Sequence, residues 1–226
     1  MVPRATYGDT LMTTLTSSAS WKALDAITGG LSKPSKMPSF GWSIPAQACG
    51  MGSLLRKVKG SPCSGCYALK GRYVFRNVQG ALERRLALYN ANPAAWEAAM
   101  VASIAKAGRD VFRWFDSGDL QGLAMLEAIG RIASALPGVR FWLPTQERGI
   151  LREAERNGWT PPPNLTIRVS GAMIDREPTE SLPAWAVRSM VRTSGRTCPA
   201  PDQGNECRDC RACWDRDVPL VSYGKH

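Results

Sequence analysis

Seven cysteines mark two chemical regions in this 226-residue chain. Cys49, Cys63 and Cys66 form one set, the last two written CSGC. Cys198, Cys207, Cys210 and Cys213 form the other, written CPAPDQGNECRDCRAC. An odd number of cysteines beside no export signal argues against a disulfide framework. In the second set, C-x2-C-x2-C lets successive thiolates face one centre, and Pro199, Pro201 and Gly204 supply the bend that returns Cys198. Four thiolates suit tetrahedral Zn2+ or a [4Fe–4S] cube, and the spacing-two triple is the ferredoxin-type pattern. Arg208, Asp209 and Arg211 read as an exposed loop, where idle core thiols are not expected.

The first set has three thiolates and no obvious fourth ligand. The only histidine, His226, is the last residue and has no fixed reach. A cube held by three cysteines leaves one iron open, as a three-ligand zinc site keeps a position for substrate. Two alternatives stand beside this. Cys63 and Cys66 could share one zinc ion with two C-terminal cysteines, or Cys49 could be a small buried hydrophobe.

Positioning these groups falls to a run of alternating elements. Residues 78–90 and 93–108 read as helices, the second with Pro93 at its start and Gly108 as its stop. A strand over 110–116 follows, then a helix over 123–136 and a strand over 139–145. A helix over 147–158 and a strand over 164–172 complete the run, and FGWSIP (40–45) reads as an earlier short strand. Strand–helix–strand units of this length build parallel sheets. The fold class is therefore α/β, a partial (β/α) barrel or an open parallel sheet. Residues 1–38 read as a Ser/Thr-rich extension with one short helix near 20–27, residues 39–193 as the α/β core, and 194–226 as a four-cysteine segment.

Polar residues gather where the strands end: Asp116, Ser117, Gly118 and Asp119; Thr145, Gln146 and Glu147; Ser170 through Asp175. Carboxyl ends of parallel strands are where such folds place their sites. Each group could also serve only to cap the following helix.

Net charge is +10, and all of it lies in residues 1–113. Arg56, Lys57, Lys59, Lys70, Arg72, Arg76, Arg84 and Arg85 face a single acid, Glu83, within that stretch. Such a field attracts phosphates, on nucleic acid or on a small anionic molecule, although a solvated basic face is the bland alternative. No apolar run reaches the roughly 18–20 residues of a membrane span, and the N-terminus lacks a signal pattern. The expectation is a cytoplasmic protein without membrane contact.

The blocks SIPAQAC, CSGCYALKGRYVFRNVQ, FRWFDSGDL, FWLPTQE, LTIRVSGAMID, CPAP, CRDCRACW and VSYGKH identify the chain as resembling the phage gene product 88 family from about Phe40 onward. If so, the cytoplasm is that of the host cell. The layout is also similar, more distantly, to radical S-adenosylmethionine (SAM) enzymes. That resemblance implies a [4Fe–4S] cluster on Cys49, Cys63 and Cys66 whose open iron chelates the methionyl group of SAM. It gives Ser117, Gly118 and Asp119 the role of the glycine-acid turn, puts Thr145, Gln146 and Ser170 against ribose, adenine or substrate, and makes the four C-terminal cysteines an auxiliary cluster. The family triad is C-x3-C-x2-C, whereas here it is C-x13-C-x2-C, so residues 50–62 must fold back to return Cys49.

Three functional expectations follow. The first is a radical-SAM-like iron–sulfur enzyme served by an external electron donor and acting on a nucleotide, nucleobase or nucleic acid. Asp116, Asp119 and Gln146 would be its catalytic polar groups, with Tyr67, Lys70 and Arg72 gripping an anionic substrate. The second is a zinc-stabilised nucleic-acid-binding protein, and the third is a SAM-free iron–sulfur redox protein.

Overall fold

The computed structural model describes residues 19–179 and 181–225. The first eighteen residues of the expected extension, and His226, lie outside the described residues. The rest of that extension joins the core. Ser20 caps helix α1 (Trp21–Thr28) by accepting from Ala23 N–H, and Gly29 ends it in a left-handed turn at φ 75°. Leu24 of α1 packs on Ala99 and Ala102, and the carbonyl of Thr28 accepts the indole N–H of Trp42 at 2.8 Å.

Six strands form one all-parallel sheet in sequential order: β1 (Gly41–Trp42), β2 (Val111–Trp114), β3 (Arg140–Thr145), β4 (Leu165–Ser170), β5 (Val187–Arg192) and β6 (Leu220–Gly224). β1 and β6 are its edges, so the sheet is open. The strands expected from sequence are present, with boundaries shifted by up to three residues. β5, β6 and the short helix α2 (Met51–Leu55) are additions. Because β6 pairs with β5 from Arg188↔Leu220 to Arg192↔Gly224, the 194–226 segment ends inside the core sheet.

Side-chain alternation gives the two faces different partners. Phe112 and Trp114, Phe141 and Leu143, and Leu165, Ile167 and Val169 share one face. There they meet α4 (Pro93–Ala107), α5 (Leu123–Ala135) and α6 (Arg148–Arg156) in the main core. α3 (Arg76–Ala91) precedes these and sends Tyr89 into the same core. On the opposite face, Val111 and Trp142 pack against Trp214. The connection between β5 and β6, which carries the four C-terminal cysteines, therefore covers the face away from the helices.

Arg168 holds it there. Its guanidinium is fully buried and donates to the carbonyls of Ala212, Cys213, Asp215, Val218 and Arg188 at 2.8–3.3 Å. Trp214 adds an indole hydrogen bond to the carbonyl of Phe112 at 2.8 Å, and Thr166 donates to the carbonyl of Trp214 at 2.9 Å. A charged residue inside the apolar run LTIRVS is thus a fastener for an irregular segment, supplying donors that loop backbone cannot find within itself.

Candidate functional site

Cys49 follows a short turn (Ala46–Ala48) at the carboxyl end of β1. The chain from Gly50 to Pro62 then folds back on itself, as the spacing requires. Met51 N–H, at the start of α2, donates to Glu147 Oε1 at 2.7 Å, tying the excursion to the end of β3. Arg56 donates to the carbonyl of Ala46 at 3.2 Å, and Ser61 Oγ donates to that of Leu55 at 2.6 Å. Gly52 is buried in the fold-back, and a Cβ there would lie 3.5 Å from Cys49 Sγ and 3.9 Å from Cys63 Sγ. The two sulfurs flank one point. Cys66 stands one tight turn beyond Cys63, donating its N–H to the Cys63 carbonyl at 3.2 Å.

The three thiols share an electrostatic environment. Burial pushes the Cys49 thiol up to about 12, and Asp119, Cys66, Cys63 and Glu147 add to the rise. Burial also pushes Cys63 up to about 11, with Cys66 and Asp119 adding and Arg56 and Arg148 pulling it back. Buried thiols resist ionisation until positive charge arrives, and a metal ion or cluster is the strongest such source.

The strand ends form the wall beside them. Gly118 has φ +79°, and a Cβ there would sit 2.3 Å from Ile44 Cγ1 and 2.7 Å from the Ile44 carbonyl, so only glycine lets β1 and β2 close up. Asp119 accepts from Leu120 N–H (2.8 Å), Thr145 Oγ1 (2.6 Å) and Gln146 N–H (2.7 Å). These donors favour the carboxylate, but burial outweighs them and raises Asp119 to about 7. Ser117 is buried with its hydroxyl unpartnered. Gln146 donates to the Gly171 carbonyl at 3.2 Å and accepts from Arg148 at 2.7 Å. Arg148 also donates to the Ser170 carbonyl at 2.5 Å, and Ser170 Oγ lies 3.4 Å from Ser189 Oγ. The excursion reaches the end of β4 as well, where Ile174 N–H donates to the Gly60 carbonyl at 2.9 Å.

Asp116 sits on the other side of this turn. Ser43 Oγ donates to its carboxylate, as does the Tyr73 hydroxyl at 2.9 Å, while the Tyr67 hydroxyl donates to its main-chain carbonyl. The two tyrosine rings meet edge-on at 5.7 Å. Asp116 therefore anchors the segment after the CSGC loop to β2. Lys70 and Arg72 remain exposed on that segment, and Lys70 Nζ hangs 3.9 Å from the Cβ position of Gly65, between Cys63 and Cys66.

The four C-terminal cysteines form a separate neighbourhood. Burial raises Cys207, with Cys198 and Cys210 adding to the rise. Burial pushes Cys213 up to about 11, while Tyr223, Arg168 and Arg113 pull it down and Cys198 raises it. Cys213 Sγ lies 3.3 Å from the Tyr223 hydroxyl. Cys207 N–H donates to the Lys36 carbonyl at 3.0 Å, and Arg113, whose guanidinium stacks 4.4 Å over the Trp142 ring, stands between this group and Tyr67. Of the cysteines named as acting on Cys49 and Cys63, all belong to the first set, and of those acting on Cys207 and Cys213, all belong to the second. Among the described residues, no group of three or more His, Cys, Asp or Glu is placed to hold a single metal ion.

Several residues here have a position that the sequence does not reveal, although Arg56 and Tyr73 belong to the basic, aromatic stretch that would grip nucleic acid. Glu147 stood in a strand-end block already marked as polar, but its partner Met51 is 96 positions away. Tyr73, Arg56 and Arg148 had only the basic or aromatic character of their surroundings as a signal. Arg168 and Arg113 were visible only as charges within strands.

No helix of the described residues is long and apolar enough to cross a membrane. No curated protein and no solved structure matches the chain. A family profile described as Gene product 88 does match, over residues 13–216, beginning well before Phe40. With nearly the whole chain inside that match, this protein belongs to the phage Gene product 88 family.

Proposed function

We propose that this protein is an iron–sulfur enzyme with a layout like that of radical SAM proteins. Cys49, Cys63 and Cys66 would hold a [4Fe–4S] cluster with one open iron for SAM, and Cys198, Cys207, Cys210 and Cys213 would hold an auxiliary cluster. One observation carries this reading: a thirteen-residue excursion folds back so that Cys49 and Cys63 flank one glycine, at the carboxyl end of a sequentially ordered parallel sheet. That is the end where parallel folds place their chemistry.

The donor set fits such a group. Cys49 and Cys63 Sγ lie 3.5 and 3.9 Å from one Cβ position at Gly52, and thiolates are the donors a [4Fe–4S] cube takes. Arg56 and Arg148 are near enough to offset thiolate charge at the first set, and Arg113 and Arg168 at the second. Arg56 Nε and Ser117 Oγ are buried polar atoms without partners beside the first set. When bound, the cluster would supply one-electron chemistry, and the protein's part is orientation and exclusion of water.

The residues divide that work. Gly118 brings β1 and β2 together, and Asp119 pins the end of β2 to the end of β3. Glu147 holds the excursion that delivers Cys49, and Gln146 with Arg148 ties β3 to the Ser170–Gly171 turn. Asp119 and Gln146 thus act on the shape of the pocket wall, with Ser117, Thr145 and Ser170 on the same rim. Asp116 sets the Tyr67–Tyr73 segment at the entrance, and Lys70 and Arg72 offer positive charge there to an anionic, nucleotide-type substrate.

Cleavage of SAM is the direct test. Protein loaded with iron and sulfide without oxygen, then reduced, is expected to release 5′-deoxyadenosine, while Cys66→Ala releases none. Iron-loaded protein that leaves SAM intact would overturn the assignment.

A further inference from the structure

The stretch that holds Cys63 and Cys66 also carries an exposed surface that takes no part in positioning the cysteines. Leu54, Val58, Tyr67, Val74 and Phe75 are 41–60% exposed, and all lie between residues 54 and 75. Among large hydrophobic residues of the described chain, only Trp21 is comparably exposed. Lys57, Lys59, Lys70, Arg72, Arg76 and Arg84 are exposed in and beside the same stretch, and no described carboxylate forms an ion pair with any of them. Helix α3 begins at Arg76 with no acidic residue in its first turn. Leu54, Val58, Val74 and Phe75, exposed among these cations, describe a surface suited to a partner that is both anionic and flat-faced.

We infer that residues 67–76 bind single-stranded nucleic acid, and that the strand is the substrate class of the adjacent site. The charge requires a polyanion. The exposed Phe75, with Val74 between the cations, requires a partner that offers apolar faces at the spacing of its charges. An unpaired strand does this, because its bases are free to stack on aromatic side chains while lysine and arginine follow the phosphates. A duplex hides those faces, and an acidic polypeptide lacks them. The segment is also anchored: the Tyr67 and Tyr73 hydroxyls hold it to Asp116 at the end of β2. Tyr67 directly follows Cys66, so a strand lying on Phe75 binds nine residues along the chain from that cysteine. The substrate role rests on the enzyme reading above; the binding does not.

Fluorescence anisotropy with a labelled single-stranded DNA of about 16 nucleotides tests this, using the full protein with its metal content measured. Phe75→Ala is expected to weaken binding about ten-fold through lost stacking. The pair Lys70→Glu/Arg72→Glu is expected to weaken it more than ten-fold and to flatten its salt dependence. The pair Arg152→Glu/Arg156→Glu, an equal charge change on the exposed face of α6, is expected to stay within about two-fold of the parent, given the distance dependence of screened charge. Equal losses in both pairs, an inert Phe75→Ala, or competition by duplex or poly-glutamate as strong as by the strand would overturn the inference. Strand binding without SAM cleavage would sink the enzyme reading and with it the substrate role, and leave the binding standing. SAM cleavage without strand binding would sink this one alone.

Discussion

Arg168→Met is expected to destabilise the protein by about 3–5 kcal/mol, the range for stripping one side of a buried charged arrangement. The substitution keeps an apolar stem of similar length, so the loss falls on the guanidinium alone. Five main-chain carbonyls, of Ala212, Cys213, Asp215, Val218 and Arg188, accept from it inside the protein. Each acceptor left dry and unpaired costs on the order of 1–3 kcal/mol, and relaxation or entering water recovers part of the total. Four of those carbonyls belong to the connection that carries the second cysteine set, so the effect has a place as well as a size. Hydrogen exchange should rise first over residues 193–219, and the denaturant midpoint should fall. Arg168→Lys keeps the charge but has fewer, unforked donors, and should fall between parent and Met. A midpoint unchanged in Arg168→Met would mean that the segment is held by its other ties, Trp214 and Thr166 among them.

Triple substitution of Cys49, Cys63 and Cys66 by Ala is expected to remove about half of the bound iron and leave about four irons per chain, the content of one cube. The prediction follows from the separation of the two sets. The first lies at the carboxyl ends of β1–β3, tied down by Glu147. The second lies across the sheet face, tied down by Arg168. The two fasteners, Glu147 and Arg168, are different residues on different strands, so one set should load without the other. Cys198→Ala with Cys207→Ala should give the complementary half. Loss of all iron in the first variant, with the fold intact by circular dichroism, would contradict independent sites.

The α/β rhythm is readable because three of the strands are followed or preceded by helices with clear start and stop signals, such as Pro93 and Gly108. β5 and β6 escaped notice for a physical reason. Val187–Arg192 and Leu220–Gly224 are joined by an irregular connection instead of a helix, and VRSMVR carries arginines that break the apolar run. The grouping of the cysteines was legible from spacing. The means of bringing Cys49 home was not, because Met51 to Glu147 and Arg56 to Ala46 are contacts no local pattern encodes. Asp116, Asp119 and Gln146 stood out as polar residues at strand ends. Their hydrogen bonds run to the protein itself, and only three-dimensional contact reveals that they bind strand end to strand end. Arg168 reads as an anomaly in an apolar strand until its five acceptors are seen.

Metal analysis of protein purified without oxygen addresses the central claim most directly. Iron, acid-labile sulfide and zinc are measured on one sample, together with its visible spectrum. Two [4Fe–4S] clusters predict about eight irons and eight sulfides per chain, little zinc, and a brown absorbance that bleaches on reduction. Stoichiometric zinc with no iron and no visible absorbance would contradict the account and leave the cysteines as structural staples.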